Sequence, residues 1–328
     1  MATYKEIQGQ SVVNTSSDIT SEGQVFYNTP GNAFKLSSLT TEAWASGGNL
    51  NNGRSTMGSF GIQTAAVVAG GEGAGPFAPQ GNGAEEYNGT SWTTTSNLPV
   101  AKREMCGGAG TESAGLICGG FSYPPFSIKT GTEEYNGSSW TSGGSLSSGF
   151  RGKSCLGTLQ TSALAFGGDS PTTPVQTSSE EYDGSSWTGG GTMSNARQNA
   201  GGSGSVPSGI VCGGNTTNPP NNKSEEYNGT SFTTGGTMNL GRTGLLGGTQ
   251  GTQTAAIMMG GPSPSTTNTE LYDGTSWTTA TPLTSSRELG GGGGTTASAI
   301  YSGGSPRVTS TEEFTGAGIA QTETIDVT

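Results

Sequence analysis

Hydrophobic and polar positions recur along the chain in short units separated by Gly-rich turns. Each unit has a short apolar run that ends in Gly-Gly, such as residues 65–68 before Gly70 and Gly71, followed by a Glu-Glu-Tyr segment. An Asn-Gly or Asp-Gly pair comes directly after the tyrosine, and an aromatic residue lies five positions after it. The runs are short, and no helical periodicity occurs between them. Each unit therefore predicts four short β-strands.

The unit occurs six times. The Glu-Glu-Tyr segments begin at residues 85, 133, 180 and 225, a Glu-Leu-Tyr copy begins at residue 270 and a truncated copy begins at residue 312, so the spacings are 48, 47, 45, 45 and 42 residues. A period in the forties with one supersecondary unit per period is typical of repeat architectures. Because there are six Gly-Gly runs, we predict an all-β fold: a six-bladed β-propeller with four-stranded blades over residues 41–316.

The two ends of the chain predict how the propeller closes. No Trp follows Phe314 in the last copy, whereas Trp44 precedes the first copy and has no Glu-Glu-Tyr segment of its own. We expect the strand around Trp44 to complete the sixth blade, since an open sheet edge promotes aggregation. The alternative is that residues 319–327 supply this strand and Trp44 only packs beside it.

The flanking segments carry no copy of the repeat. Within residues 1–40, aromatic runs lie on either side of Pro30 and Gly31, which predicts a β-hairpin. Residues 317–328 are expected to form a tail or a strand.

Composition narrows the function. The 60 glycines and 29% hydrophobic residues would alone indicate low complexity, but disorder gives no reason for tryptophans to recur in register. The net charge of −11 argues against a nucleic-acid partner. The absence of histidine removes Ser-His or Cys-His nucleophiles and His-ligated metals. The four cysteines form no CxxC motif, so we expect no cofactor and no metal.

The sequence has neither of the apolar segments that direct a chain to a membrane. It contains no run of about 18 apolar residues that would insert in a bilayer. No apolar stretch follows a basic start, so we expect no signal peptide.

Two residue types recur once per unit. We expect the tryptophans to wedge between adjacent blades, because such large side chains anchor a Gly-rich fold, rather than to stack on sugars. The arginines either pair with blade carboxylates and carbonyls or ring the axial channel as an anion site; their repetition favours pairing. The tryptophans are Trp44, Trp92, Trp140, Trp187 and Trp277, and the arginines are Arg54, Arg103, Arg151, Arg197, Arg242 and Arg287.

The loops that follow Gly-Gly differ between units. The first two carry the aromatic residues Phe77, Phe121, Tyr123 and Phe126. Long loops on a rigid scaffold commonly carry binding residues, so these four are candidate contact residues. The alternative is that they fold back as a local apolar cluster over the first two blades.

These residues resemble a known family. Gly-Gly after an apolar strand, followed by the Tyr and the Trp, is similar to the kelch repeat across residues 41–316. The blades are richer in Gly, Ser and Thr than typical kelch blades, and Phe232 replaces one Trp. The uniform Glu-Glu-Tyr-Asn-Gly-Thr-Ser-Trp core resembles kelch-like proteins encoded by marine bacteriophages. Residues 2–7 and 22–28 are similar to amino-terminal segments of phage virion and tail-fibre proteins.

The resemblance implies a non-enzymatic virion protein, on a tail fibre or decorating the particle, that binds a host-surface glycan or protein. It would be made in the host cytoplasm and attach to virion proteins through its amino-terminal segment. The alternative is a purely structural decoration or adaptor protein that binds neighbouring virion proteins. Homo-oligomers are common in fibres, although the sequence has no coiled-coil signal.

A glycan-active enzyme is the third interpretation. Asp183 and Trp187 resemble the Asp-box of sialidase propellers, but their spacing is one residue too short. The radical-copper oxidases built on kelch propellers depend on His ligands, which this chain lacks. We therefore expect no catalytic residues.

Overall fold

A computed structural model describes residues 13–15, 25–73, 81–104, 107–122, 124–172, 174–215, 221–244, 246–247, 249–261, 266–318 and 320–325. All regular elements in these ranges are β-strands. The chain forms two compact units: unit 1 contains Met1–Ala43 and Thr315–Thr328, and unit 2 contains Trp44–Phe314. The carboxy-terminal tail thus belongs with the amino-terminal segment.

Unit 1 is built around the predicted hairpin. Its sheet has the order β1-β2-β3-β32, in which β1 is Val13–Thr15, β2 is Val25–Asn28, β3 is Ala33–Leu39 and β32 is Ala320–Thr324. The hairpin turn is fixed by a hydrogen bond of 2.7 Å from the Gly31 amide to the Asn28 side chain. The rings of Tyr27 and Phe34 pack edge to face across the hairpin, 5.1 Å apart.

Unit 2 is the six-bladed β-propeller that the repeat predicts. Each blade is a four-stranded antiparallel sheet. In chain order from the axis outwards, blade 1 contains Gly58–Ile62 (β6), Ala65–Ala69 (β7), Ala84–Tyr87 (β9) and Trp92–Thr95 (β10), and blade 2 contains Gly108–Thr111 (β11), Ala114–Cys118 (β12), Thr132–Tyr135 (β15) and Trp140–Ser142 (β16). Blade 3 contains Ser154–Leu159 (β17), Ser162–Phe166 (β18), Ser179–Tyr182 (β19) and Trp187–Gly189 (β20), and blade 4 contains Gly201–Ser205 (β21), Ser208–Cys212 (β22), Lys223–Tyr227 (β23) and Phe232–Thr237 (β24).

The last two blades follow the same order. Blade 5 contains Leu246–Gly247 (β25), Ala256–Met259 (β26), Thr269–Tyr272 (β27) and Trp277–Ala280 (β28), and blade 6 contains Gly291–Gly294 (β29), Ser298–Ser302 (β30), Thr311–Thr315 (β31) and Ala43–Ser46 (β4). Two small ribbons lie outside the blades, one of Arg54–Ser55 (β5) with Glu72–Gly73 (β8) and one of Phe121–Ser122 (β13) with Ser127–Ile128 (β14).

The strand around Trp44 closes the propeller, as predicted. β4 is the outer strand of blade 6 and lies beside β31. The tail strand β32 pairs with β3 in unit 1, so the alternative closure by the tail is wrong. One blade is therefore made from both ends of the chain.

The hydrophobic core lies between the blades. Six buried clusters occupy the six seams between neighbouring blades. The five tryptophans are buried at these seams, and their indole N–H groups donate to the preceding blade. Trp92 Nε1 donates to Thr311 Oγ1 at 3.0 Å, and Trp187 Nε1 to Thr132 Oγ1 at 2.8 Å. Each tryptophan therefore combines apolar contact with a satisfied polar atom.

At five of the six seams, the second glutamate of a repeat joins adjacent blades. It accepts a hydrogen bond from the tyrosine hydroxyl of the next blade, for example from Tyr182 to Glu134 at 2.6 Å and from Tyr272 to Glu226 at 2.7 Å. Burial, and then the bond to the glutamate, raises the pKa of Tyr182 to about 12. The seam between blades 5 and 6 differs, because it pairs Leu271 with Phe314 and both side chains are apolar. The donor and its acceptor are thus lost together.

This seam gives a first prediction. Phe314→Tyr places a hydroxyl against Leu271, with no acceptor at that position, and we expect it to lower the free energy of unfolding by about 1–3 kcal/mol. Adding Leu271→Glu supplies the acceptor used at the other seams and is expected to recover most of this loss. Urea unfolding of the two single variants and the double variant measures the coupling. If the losses in free energy of unfolding of the two single variants simply add in the double variant, the new tyrosine and glutamate do not form a hydrogen bond across this seam.

The turn after the tyrosine is longer than the two-residue hairpin turn that an Asn-Gly or Asp-Gly pair commonly forms. The register pairs Tyr182 with Trp187, so the turn contains four residues. The Asp183 carboxylate accepts hydrogen bonds from the amides of Ser185 and Ser186, each at 2.8 Å. These bonds, led by the Ser186 amide, lower the pKa of Asp183 to about 2. Asn and Asp interchange here because either side-chain oxygen can accept these bonds.

The Gly-Gly pair is needed because the next blade approaches closely. Gly167 has a φ of 68°, and a Cβ there would lie 2.1 Å from the carbonyl oxygen of Arg197. Only glycine tolerates this backbone conformation and contact together. The pair thereby lets one blade pack closely against the connection that leads into the first strand of the next blade.

Strand direction defines two faces of unit 2. Because the strands of a blade alternate in direction, the loops after Gly-Gly and the connections between blades lie on one face, which we call the long-loop face. The turns between the first and second strands and between the third and fourth strands lie on the opposite face, which we call the turn face.

Candidate functional site

Each blade contains one buried ion pair beneath the long-loop face. In each pair the first glutamate of the repeat binds a lysine or arginine, and both side chains are at most 7% exposed. The pairs are Arg54–Glu85, Lys102–Glu133, Lys153–Glu180, Arg197–Glu225, Arg242–Glu270 and Arg287–Glu312. Burial lowers the pKa of Arg242, and the charge of Glu270 opposes this shift. Because they are buried and repeated in every blade, these ion pairs stabilise the blades and do not form a ligand site.

The six repeat arginines do not share one structural position, unlike the sequence interpretation. In blades 2 and 3 lysine takes the buried site, and Arg103 and Arg151 lie at the surface with side chains 24% and 38% exposed. The sequence contains a sign of this exchange of lysine for arginine, since Lys102 adjoins Arg103 and Lys153 follows Arg151 by two residues. One buried carboxylate accommodates only one of the two cations. The sixfold repetition is therefore broken on one side of the long-loop face.

The displaced arginines form surface ion pairs. Arg151 binds Asp169 through two nitrogens, with Nε–Oδ1 and Nη2–Oδ2 distances of 2.9 and 3.2 Å. Arg103 pairs with Glu72, which also accepts from Arg307 at 2.5 Å. The charged residues thus come from the entrances and loops of blades 6, 1, 2 and 3.

The loop aromatics divide into a buried and an exposed ring. Phe121 is 4% exposed, so for this candidate the alternative of a local apolar cluster applies and not the contact role. It packs against Phe126 with ring centroids 5.0 Å apart, and the Arg103 guanidinium lies over the Phe121 ring, 4.7 Å from its centroid. Phe126 remains 41% exposed. Phe77 and Tyr123 lie outside the described residues. A local cluster and an exposed contact residue therefore coexist in this loop.

The mouth of the axial channel is bounded by a closed backbone ring. One residue per blade adopts a left-handed conformation, and its amide donates to the carbonyl of the corresponding residue in the preceding blade at 2.7–3.3 Å. The six residues are Thr56, Glu104, Gly152, Asn199, Gly244 and Leu289. Four of them carry side chains despite the positive φ, which is a strained arrangement found most often at functional sites.

Glu104 gives this mouth its acidic group. Burial raises the pKa of Glu104, against the charges of Arg151 and Arg103. Beyond the ring lies a cavity of about 80 Å³ lined by Glu104, Asn199 and Thr249, among others. Gln250 lies in the turn between β25 and β26, so its side chain crosses the channel at the turn-face end, where it donates to the Gly110 carbonyl of blade 2 at 2.5 Å. The polar mouth and the displaced arginines together form a continuous charged surface, which we call the axial-mouth surface.

Two kinds of feature are not found among the described residues. No group of three His, Cys, Asp or Glu side chains lies close enough to hold a metal ion within the described ranges. No helix in this part of the chain is long and apolar enough to cross a membrane.

Comparison with known proteins supports the fold. No family model and no curated protein matches the chain. The solved structure of YjhT superposes with a TM-score of 0.63 at 11% sequence identity, covering 84% of this chain and 99% of YjhT. In all, 215 chains of solved structures match, so the architecture is a common one and does not by itself assign a function.

Proposed function

We propose that the protein is a non-enzymatic bacteriophage virion protein, on a tail fibre or decorating the particle, that contacts a host-surface glycan through its long-loop face. The proposal combines the resemblance of the repeat to kelch-like phage proteins with the asymmetry of the propeller. The observation that carries it is the axial-mouth surface, where Arg103 and Arg151 leave the repeated buried site. A purely structural blade repeat has no need of this departure.

The composition of this surface suits a glycan. Guanidinium, carboxylate and amide groups offer donors and acceptors to sugar hydroxyls, and Phe126 offers an exposed ring beside them. The surface lies on a scaffold fixed by six buried ion pairs, so little conformational entropy is lost on binding. We propose no catalytic role for this surface, because its Asp169 carboxylate accepts two hydrogen bonds from Arg151 and so belongs to an ion pair.

Binding of the labelled full chain to intact marine bacteria and to an array of bacterial glycans tests the proposal. Saturable binding is expected, and Phe126→Ala with Arg151→Gln is expected to weaken it about tenfold or more, by removing a contact ring and a charged donor. Ile62→Ala is the matched control, because Ile62 is also 41% exposed but lies on the turn face.

The protein is tested in multimeric form so that weak single-site affinity is still detected. Equal binding by the two variants would overturn the proposed contact surface. No binding by any variant, with folding verified by near-ultraviolet circular dichroism, would favour the structural alternative.

The structural alternative has one observation in its favour. Unit 1 has its own four-stranded sheet whose edge strands are β1 and β32, and edge strands can pair with a strand of another protein. We propose that unit 1 attaches the chain to neighbouring virion proteins. A chain without residues 1–40 is then expected to be absent from particles, and its normal incorporation would contradict this role.

A further inference from the structure

The cations of unit 2 are unevenly distributed between its two faces. Six of its eleven lysines and arginines lie in the buried ion pairs. The other five, Arg103, Lys129, Arg151, Lys223 and Arg307, all lie in loops or strand ends of the long-loop face. The turns of the turn face contain no Lys or Arg and carry the acidic residues Glu112, Asp183 and Asp273. Unit 2 thus has its accessible lysines and arginines on one face, although the whole chain has a net charge of −11.

The strongest concentration of this charge is a triad of Arg103, Glu72 and Arg307. The Glu72 carboxylate forms ion pairs with the guanidinium groups of both Arg103 and Arg307, so two positive charges face one negative charge. The Arg307 side chain is 43% exposed and binds Glu72 through Nη2. A partly exposed guanidinium beside a second one attracts carboxylate and phosphate groups, which match its fork of donors.

The aromatic contact residue is continuous with this triad. Arg103 lies over the ring of Phe121, and Phe121 packs against the exposed Phe126. Lys129 is in the same loop and donates to Ser127 at 3.2 Å. An apolar ring surface and an excess of positive charge therefore adjoin each other on the loops of blades 6, 1 and 2.

We infer that the long-loop face binds an anionic glycan, whose sugar ring packs on Phe126 and whose carboxylate or phosphate group binds Arg307 beside Arg103. The inference rests on the proposed glycan-binding function and names the class of its ligand. Uronic acids and sugar phosphates both supply this chemistry.

Binding of the full chain to three polysaccharides tests the inference. Immobilised polygalacturonate presents carboxylates, phosphomannan presents phosphates, and dextran is neutral. We expect at least about tenfold tighter binding to one of the acidic polymers than to dextran, as one charge-assisted contact would give. Raising the salt concentration from about 50 to about 500 mM is expected to weaken binding to the acidic polymer, because exposed charges are screened.

Two charge-matched variants separate a specific site from general attraction. Arg307→Gln is expected to weaken binding to the acidic polymer about tenfold, through loss of a charge-assisted hydrogen bond. Lys223→Gln removes the same charge from the same face, at blade 4, and is expected to leave the affinity unchanged.

Equal affinity for all three polymers, or equal losses in both variants, would overturn the anionic-glycan inference. If the double variant Phe126→Ala/Arg151→Gln still bound cells about tenfold more weakly, the proposed host-contact function would stand without the anionic-glycan inference. The polymer that binds identifies carboxylate or phosphate as the recognised group.

Discussion

Replacing Arg242 with methionine is expected to lower the free energy of unfolding by about 3–5 kcal/mol, because it leaves a buried carboxylate without its cation. Both Arg242 and Glu270 have fully buried side chains, and they bind each other at 2.8 Å. Arg242 also donates to the carbonyl groups of Gly260 and Asn268 at 2.7 and 2.8 Å, so the variant loses these bonds as well. Equilibrium unfolding in urea measures the change.

Two matched variants show whether burial is the cause. Arg151→Met breaks the partly exposed pair with Asp169, and is expected to cost about 0–1 kcal/mol. Arg242→Met with Glu270→Leu removes both charges and is expected to be less destabilised than Arg242→Met alone. Similar losses for Arg242→Met and Arg151→Met would contradict the division between buried and displaced arginines.

Removing the closing strand is expected to have a still larger effect. A chain of residues 47–315 lacks β4, and with it the Trp44 indole that donates to the Thr281 carbonyl at 2.9 Å. Loss of a buried tryptophan side chain alone costs about 3–5 kcal/mol, and domains are commonly stable by only about 5–15 kcal/mol. We therefore expect this chain to lose cooperative unfolding and to aggregate through the exposed edge of β31.

A chain of residues 41–315 is the control for this truncation. It also lacks most of unit 1 but retains β4, so it is expected to form no aggregates and to unfold cooperatively. Thermal unfolding with size-exclusion chromatography compares the two. Equal behaviour of both chains would show that β4 does not hold the propeller closed.

The fold was predictable because its determinants are local and repeated. The spacing of the Gly-Gly and Glu-Glu-Tyr segments gives the blade number, and the unmatched Trp44 gives the closing strand. The turn length was not predictable from the Asn-Gly pair, because the side-chain oxygen of the Asn or Asp organises a four-residue turn instead. The register of the two strands is needed to decide between the turn preference of the Asn-Gly or Asp-Gly pair and the hydrogen bonds that the Asn or Asp side chain makes.

The site was less predictable because it depends on departures from the repeat. Arg103 and Arg151 are aligned with the other arginines in sequence, yet a neighbouring lysine takes the buried position in each of these blades. Which cation is buried depends on the path of the backbone into the blade. The loop aromatics differ for a similar reason, since the β13–β14 ribbon turns Phe121 inward and leaves Phe126 exposed.

The paired departures at Leu271 and Phe314 could have been noticed in the sequence. Their meaning needs the geometry between blades, because the two residues are 43 positions apart and meet only at the seam. The same holds for the triad of Arg103, Glu72 and Arg307, which draws on three blades.

Hydroxyl-radical footprinting of the protein adsorbed to intact bacteria tests most directly whether the long-loop face is the contact surface. Phe126 lies on that face, and the exposed residues Ile62 and Leu159 lie at the ends of β6 and β17 on the turn face. Oxidation of Phe126 is expected to fall on adsorption, while oxidation of Ile62 and Leu159 is expected to stay unchanged. Protection of Ile62 and Leu159 with an unprotected Phe126 would contradict the proposed orientation and the function built on it.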